Sequence, residues 1–291
     1  MDTDKYKALL SAIETGSLSA AAAELDYTPS GISRAVASLE ESLGFSLLVR
    51  KKSGVLPTEE CQLLLPLFRN LIHTQEQIDQ TAARICGLET GSVTIGTAYS
   101  PYYPVLSRRI MEFQALHPDI SVRLIEGTSS HLCSLLQEQA LDFCIISRRD
   151  GIDTFIPLCE DTICIWVPQS HPAVEMGIYP LQDLANENYI SIHPNMETDN
   201  SRLLAKHHIT PHICASTSDV PAAWTMVAAG MGVTLINRIL SRQWDEPVVT
   251  LPLDTSPSFE IGIAATVREM QSPAAAELMK FMQKDLIHAF E

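Results

Sequence analysis

Apolar residues repeat at helical spacing through the first 44 residues, and turn-forming residues interrupt them twice. The spacing predicts a helix over residues 5–15 that stops at Gly16, because glycine favours the backbone turn that follows a helix. Ser17 is a suitable N-cap for a short, alanine-rich helix that runs to Leu25. A tight turn then leads to a longer helix, and this succession is the helix-turn-helix arrangement.

The third helix has two chemically different faces. Thr28 is its predicted N-cap, Pro29 occupies its first position, where a missing N–H costs nothing, and Gly44 ends it. At about 100° per residue, the apolar face comprises Ile32, Val36, Leu39 and Leu43. The opposite face comprises Ser30, Ser33, Arg34, Ala37 and Ser38. Short hydroxyls and one arginine suit a helix that enters the DNA major groove, although an ordinary solvated helix face has a similar composition.

A basic hairpin is expected directly after the third helix. The segment FSLLVRKKSGVLPTEE contains an apolar run, three basic residues, a Ser53–Gly54 turn and an extended piece. Three basic residues alone are usual for a solvated turn, but beside a helix-turn-helix they form a wing that reaches phosphate or the minor groove. The candidate DNA-binding residues are therefore Ser17, Thr28, Pro29, Ser30, Ser33, Arg34, Ser38, Arg50, Lys51 and Lys52.

Residues 1–58 resemble the DNA-binding domain of the LysR-type transcriptional regulators. The segments GSLSAAAAEL, TPSGISRAVASLEESLGFSLLVR and LPTE carry the resemblance, which continues over essentially the whole chain. It implies an N-terminal all-α winged helix-turn-helix, a long linker helix, and an α/β two-lobed effector domain that resembles type 2 periplasmic binding proteins. The family usually has Ser-Gln-Pro where this chain has Thr28–Pro29–Ser30. A glutamine that reads the groove is thus absent, and we expect the operator preference to differ.

A long amphipathic helix is predicted from Thr58, its N-cap, to about Gly87. Glu59 and Glu60 favour its positive end, and Pro66 should loosen its first turns. Its apolar stripe comprises Leu64, Leu67, Leu71, Ile78, Ala82 and Ile85. The resemblance implies that this stripe pairs with a second copy in an antiparallel dimer, and that dimers assemble into a tetramer. Packing on the chain's own domain is the alternative, because it would bury the same stripe.

Strands and helices alternate after Gly91, as is typical of a parallel sheet. Strands are predicted at residues 93–97, 120–126, 143–147, 163–167, 189–192, 233–236 and 259–266. Helices are predicted at residues 103–116, 130–139, 219–230 and 272–290. The resemblance implies crossing strands near Ile163 and Thr266. It implies three domains, at 1–58, 59–91 and 92–291, the last divided into lobe I (about 92–162 and 267–291) and lobe II (about 163–266).

A ligand is expected between the two lobes, where strand carboxyl ends and helix N-termini meet. Polar residues follow several of the predicted strands. The candidate effector-binding residues are Tyr99, Ser100, Tyr102, Thr128, Ser129, Ser147, Arg148, Ser191 and His193. Hydroxyls and one guanidinium suit a small carboxylate or another polar metabolite. Each of these residues is also of a type that caps a loop or a helix.

Composition and charge narrow the class of protein. The chain has 291 residues and a net charge of −15, yet residues 1–58 are nearly neutral, with six basic and seven acidic side chains. The negative charge argues against non-specific coating of nucleic acid. No apolar stretch reaches the ~20 residues of a membrane span, and no secretory signal is evident, so a cytoplasmic protein is expected. The seven cysteines form no CxxC pair, which favours structural thiols over a redox sensor.

Neither a metal, nor a cofactor, nor a catalytic site is predicted. His207, His208 and His212 have no cysteine or carboxylate at ligand spacing, and the GMG at residues 230–232 lacks the rest of a dinucleotide fingerprint. The chain is thus predicted to be a DNA-binding regulator, and not an enzyme, whose activity a small molecule modulates. The alternative is a two-lobed binding protein or enzyme with an N-terminal interaction module, and residues 18–52 argue against it.

Overall fold

We describe the fold from a computed structural model, which describes residues 3–51, 54–86, 90–244, 246–255, 258–266 and 271–290. Lys52, a predicted DNA contact, lies outside these residues. So does Gly87, where the linker helix was predicted to end. No helix among the described residues is long and apolar enough to cross a membrane.

The N-terminal unit is three helices followed by a hairpin. Its elements are α1 (Asp4–Thr15), α2 (Leu18–Glu24), α3 (Pro29–Leu43), β1 (Leu48–Lys51) and β2 (Gly54–Pro57). The predicted caps are confirmed, because the Ser17 and Thr28 hydroxyls accept backbone N–H groups at the starts of α2 and α3. Gly16 and Gly44 have φ values of 66° and 83°, in the left-handed region. Local residue chemistry therefore fixes the helix boundaries.

The apolar face of α3 packs against α1 and α2. Ile32, Val36 and Leu39 are buried as predicted. Leu43 was expected on the same face, but its side chain is 38% exposed. It lies in the last turn of the helix, beside the left-handed Gly44, where α3 ends and the chain turns toward the hairpin.

The hairpin is fixed to α3 and to the turn between α1 and α2. The Val55 N–H donates to the Gly16 carbonyl (2.9 Å), and a Cβ on Gly54 would lie 2.2 Å from that same oxygen. Gly54 also has a φ of 130°, so only glycine fits this close approach. At the other end, the Glu40 carboxylate accepts the Leu47 N–H at 2.7 Å. The position of the wing is thus set by contacts with α3 and with the turn between α1 and α2.

The linker helix α4 (Glu59–Ile85) begins at its predicted cap, since the Thr58 hydroxyl accepts the Cys61 N–H. Its first turns belong to the core of the N-terminal unit, in which Cys61 and Phe68 are buried and Leu64 packs. Leu64 was expected on the apolar stripe that would pair with a second copy, but it packs in this core, and Leu63 is exposed in its place. The reason is that one side of α4 is already occupied by α1.

Two α/β lobes follow the linker helix. The strands are β3 (Gly91–Thr97), β4 (Ile120–Glu126), β5 (Phe143–Ser147), β6 (Thr154–Pro168), β7 (Asn188–Ile192), β8 (His212–Thr217), β9 (Thr234–Asn237), β10 (Val248–Pro252) and β11 (Ser258–Ala265). The helices are α5 (Tyr103–Leu116), α6 (Ser129–Gln137), α7 (Ala173–Met176), α8 (Asp199–Lys206), α9 (Val220–Ala228), α10 (Arg238–Ser241) and α11 (Pro273–Ile287). The main sheet has the order β10-β6-β11-β5-β3-β4, β9 also pairs with β6, and β7 pairs with β8. The predicted fold class is confirmed.

The strand β6 runs through both lobes. It pairs with β11 as far as Thr162, and from Ile163 it pairs with β9, so the predicted crossing at Ile163 agrees with the structure. The second crossing was predicted near Thr266, with β11 in lobe II. Instead, β11 pairs with β5 from Ile261 to Ala265, and these residues pack in the lobe I core. The second connection therefore lies at the start of β11, because its pairing partner, which the sequence pattern does not specify, belongs to lobe I.

Candidate functional site

The exposed face of α3 and the wing form one continuous surface. Ser30 and Arg34 are exposed on α3, and Arg50 and Lys51 are exposed on β1. The Arg50 guanidinium donates to the Ser33 hydroxyl at 3.0 Å, across the boundary between helix and wing. Hydroxyls, which can reach base edges, and cations, which can reach phosphates, therefore lie side by side.

The remaining predicted DNA contacts lie at the edges of this surface. The Thr28 and Ser30 hydroxyls are 3.1 Å apart at the start of α3, beside Pro29. Ser17 caps the N-terminus of α2. Ser38 accepts a hydrogen bond from Lys5 Nζ at 3.0 Å, which brings a further cation to α3.

A cavity of about 490 Å³ lies between the two lobes. Its walls come from the segments that follow β3, β4, β7 and β9, and from the starts of α6 and α8. Among the predicted effector-binding residues, Tyr99, Thr128, Ser129 and His193 line it. Thr128 is also the N-cap of α6, where its hydroxyl accepts the His131 N–H. Both interpretations of Thr128, as a cap and as a cavity residue, therefore hold.

Five of the predicted effector-binding residues do not line the cavity, and one of them, Ser147, belongs to the cluster described in the next paragraph. Ser100 is exposed, and Ser191 is half-buried within β7. Tyr102 is fully buried, with its ring 4.8 Å from that of Phe290. Arg148 pairs with Glu260 on the surface at 2.7 Å. The expected place of these four residues in the cavity wall is therefore not found, because successive side chains along a strand point to opposite faces and the sequence pattern does not specify which face lines the cleft.

A buried polar cluster adjoins the cavity, and sequence reasoning missed most of it. Asp199, the first residue of α8, forms an ion pair with Arg149 at 2.8 Å. Its carboxylate also accepts hydrogen bonds from Ser147, Tyr99 and Asn237, at 2.6, 2.9 and 3.1 Å. We call these five residues the Asp199 cluster. Its members follow β3 and β5 in lobe I and β7 and β9 in lobe II, so the cluster joins the lobes.

The environment of the Asp199 cluster keeps the Tyr99 hydroxyl protonated. Burial, and then the negative charge of Asp199, raise the pKa of Tyr99 well above its ordinary value. The Tyr99 hydroxyl thus remains a hydrogen-bond donor to the carboxylate over the physiological pH range. The hydroxyls of the cluster can donate hydrogen bonds, and among these five residues no nucleophile is paired with a general base.

Two family models cover the described domains. The model of the bacterial regulatory helix-turn-helix protein, lysR family, matches residues 3–62, and the LysR substrate binding domain matches residues 87–286. The chain belongs to the LysR family of transcriptional regulators. It is 24% identical, over 292 residues, to the HTH-type transcriptional regulator YvbU of Bacillus subtilis (strain 168), which covers 99% of this chain and 100% of that protein.

Solved LysR-family structures share the fold of the whole chain. A variant of full-length OxyR from Pseudomonas aeruginosa has a TM-score of 0.67 at 18% identity, covering 99% of this chain and 95% of that one. Full-length CbnR in a complex with its target DNA has a TM-score of 0.58 at 19% identity, covering 98% and 99%. At these identities the likeness concerns the architecture alone.

The cysteines of this LysR-family chain are mainly core residues. Burial raises the pKa of Cys61 to about 11 and that of Cys164 to about 12, and it also raises the pKa values of Cys133, Cys144 and Cys159. A thiol with such a pKa is protonated at pH 7 and is a poor nucleophile. These five side chains therefore act as small apolar residues.

Asp161 lies in β6 at the crossing between the lobes, where it accepts the Ile239 N–H at 3.1 Å. Burial raises its pKa to about 6. Between about pH 4 and pH 6 the folded chain therefore holds a proton that the unfolded chain releases, so stability falls as the pH rises, by up to about 3 kcal/mol. Asp161→Asn keeps an acceptor and lacks the charge. We expect a higher free energy of unfolding than wild type at pH 8 and no gain at pH 4, measured by urea denaturation.

Asp153→Asn is the control, because Asp153 is exposed. It should match wild type at both pH values. A difference between Asp161→Asn and wild type that stays constant from pH 4 to pH 8 would contradict the role of Asp161 burial.

Proposed function

We propose that this regulator binds promoter DNA through α3 and the wing, and that a small molecule in the interlobe cavity modulates its activity. The observation that carries the proposal is the contact of Arg50 with Ser33, next to exposed Arg34, since it aligns the wing with the outer face of α3. The proposed DNA-binding unit is residues 1–58, with 59–91 as linker and the rest as the effector domain. The relatives are named as transcriptional regulators, which supports a regulatory role and not an enzymatic one. We expect the protein to act in the cytoplasm, on promoter DNA.

Self-association is part of this proposal. Leu63, Leu67, Ile78 and Ile85 form a stripe of exposed apolar side chains on α4. A second copy of α4 would cover this stripe, as two amphipathic helices do when they pair. The N-terminal unit is nearly neutral, and two copies double the number of phosphate contacts. A dimer therefore supplies the affinity that one copy lacks, and a tetramer doubles the number of DNA-binding units again.

The linker helix α4 contacts lobe I, so a change in lobe position at the cavity can reach the DNA-binding unit. Arg69 of α4 forms an ion pair with Glu138, directly after α6, and Gln80 of α4 donates to the Ser92 carbonyl at 3.3 Å. A ligand acts only if it binds the open and closed arrangements of the lobes with different affinity. Movement of lobe I then shifts α4 and changes the spacing of the two DNA-binding units.

Arg34→Ala tests the DNA-binding face. Because Arg34 is exposed on α3, its removal should weaken binding to the DNA upstream of the protein's own gene by about 5- to 100-fold. The measurement is fluorescence anisotropy of the full-length protein across a salt series, with scrambled DNA alongside. Loss confined to the upstream DNA indicates a base contact, whereas equal loss on both with a shallower salt slope indicates a phosphate contact.

Arg123→Ala is the matched control, because Arg123 is an exposed arginine on β4 of the effector domain. It removes the same charge and should leave DNA binding unchanged. If Arg34→Ala binds the upstream DNA as tightly as Arg123→Ala, or if wild type does not distinguish upstream from scrambled DNA, the proposed role of α3 in sequence recognition is wrong.

A further inference from the structure

The Asp199 carboxylate uses both of its oxygens within the cluster. Oδ1 accepts from Arg149 Nη2 (2.8 Å) and from the Ser147 hydroxyl (2.6 Å). Oδ2 accepts from the Tyr99 hydroxyl (2.9 Å) and from the Asn237 amide (3.1 Å). Four donors around one carboxylate, three of them from lobe I, are what a site for a free carboxylate ligand would require.

The lobe I part of the cluster is suited to an anion. The Arg149 side chain is only 6% exposed, and Ser147 and Tyr99 are buried. A buried guanidinium needs a negative partner, because an uncompensated buried charge is strongly unfavourable. Asp199 reaches it from the other lobe, at the start of α8. A side chain of the protein thus fills the position where lobe I would hold an anionic group.

We propose that Asp199 is a built-in replacement for a carboxylate ligand, and that the cavity beside it binds an uncharged or cationic small molecule. The inference rests on the proposed ligand-binding role of the cavity. It replaces the expectation of a carboxylate effector, which assumed that the arginine after β5 was available. The arginine that reaches the cluster, Arg149, is already paired.

The rest of the cavity agrees with this ligand class. Among the residues that the structure describes, no lysine or arginine lines it, and Glu126 adds a second carboxylate to the lining. A carboxylate ligand would therefore meet like charge, with no lysine or arginine in the lining to offset it. Hydroxyls such as those of Ser129 and Thr198, together with apolar residues such as Ile192 and Met196, offer hydrogen bonds and apolar contact.

Asp199→Ala tests the proposal by emptying the anion position. The full-length variant should unfold about 5–15 °C below wild type, because Arg149 loses its partner. Sodium acetate, which matches the deleted side chain, should raise the unfolding midpoint of the variant by several degrees in a saturable manner, relative to sodium chloride at equal ionic strength. Wild type should show no such shift. Isothermal titration calorimetry with acetate should detect binding to the variant and not to wild type.

Three further variants keep the test decisive. Asp199→Ser also frees the position and should respond to acetate even if the alanine variant fails to fold. Asp199→Asn fills the position with an amide of the same size and should not respond. Asp199→Ala combined with Arg149→Met should lose the response. Glu175→Ala is the control, since Glu175 is an exposed acidic residue on α7 of lobe II, and it should behave like wild type.

Two results would overturn the proposal. One is that neither Asp199→Ala nor Asp199→Ser responds to acetate. The other is that wild type is stabilised by acetate as strongly as the variants are. Both are independent of promoter binding, because the anisotropy of wild type with upstream DNA reports on the proposed function by itself.

Discussion

Leu67→Glu is expected to convert the proposed dimer into a monomer. The Leu67 side chain is 62% exposed in one chain, so glutamate is compatible with the fold of α4. In an antiparallel pair of α4 helices the substitution is present twice and places two carboxylates in an apolar contact. Sedimentation velocity of the full-length protein should show the monomer at concentrations at which wild type is a dimer. Binding to the upstream DNA should weaken by at least about 100-fold, since two linked binding units become one.

The control for this experiment is Met176→Glu, which adds the same charge at an exposed methionine of α7. It should remain dimeric and bind DNA as wild type does. If Leu67→Glu sediments like Met176→Glu, Leu67 is not part of the dimer contact. Ile78→Glu then tests the rest of the stripe, because Ile78 lies on it three turns further along the helix. If both variants remain dimeric, the stripe on α4 is not the contact.

The N-terminal unit was predicted closely because its signals are local. Ser17, Thr28 and Thr58 each cap a helix within three residues of themselves, and the glycines at 16 and 44 adopt the left-handed conformation that helix ends favour. The errors occur where tertiary contacts decide. Leu43 and Leu64 both fit the helical period of an apolar face. Leu43 is nevertheless exposed, because α3 ends beside it, and Leu64 is covered by the core of the N-terminal unit.

In the effector domain, strand identity was predictable and strand partners were not. The strands β4 and β5 match their predicted bounds, whereas β8, β10 and the first half of β6 were missed. The strand β8 is mostly exposed and carries no alternating apolar pattern that would have revealed it. For β11 the strand was found but assigned to the wrong lobe, because register and partner depend on residues far along the chain.

The sequence contained enough information to predict that Arg149, and not Arg148, points toward the cleft. Side chains alternate along a strand, so if Ser147 points inward, Arg148 points outward and Arg149 inward again. The structure follows this rule, with Arg148 at the surface and Arg149 buried. Asp199 had a weaker signal, namely Thr198 as a helix N-cap directly before it. That Asp199 reaches across to Arg149 depends on how the two lobes face each other, which no local pattern specifies.

Arg149→Met is expected to lower the free energy of unfolding by about 3–5 kcal/mol, because it leaves the Asp199 carboxylate buried without its cation. Methionine is similar in length to arginine, so loss of packing is small. Arg149→Met combined with Asp199→Asn should recover much of the loss, since no uncompensated charge then remains. Urea denaturation at pH 7 measures all three proteins.

Arg148→Met is the matched control, because it removes a neighbouring arginine whose partner is Glu260 and whose guanidinium lies over the Phe155 ring. Both members of that ion pair are about half exposed, so the cost should stay below about 1 kcal/mol. Equal losses in the free energy of unfolding for the two substitutions would mean that the buried Arg149–Asp199 pair stabilises the fold no more than the exposed Arg148–Glu260 pair does. A large loss for Arg149→Met that Asp199→Asn relieves would instead show that charge compensation across the cleft stabilises the two-lobed domain.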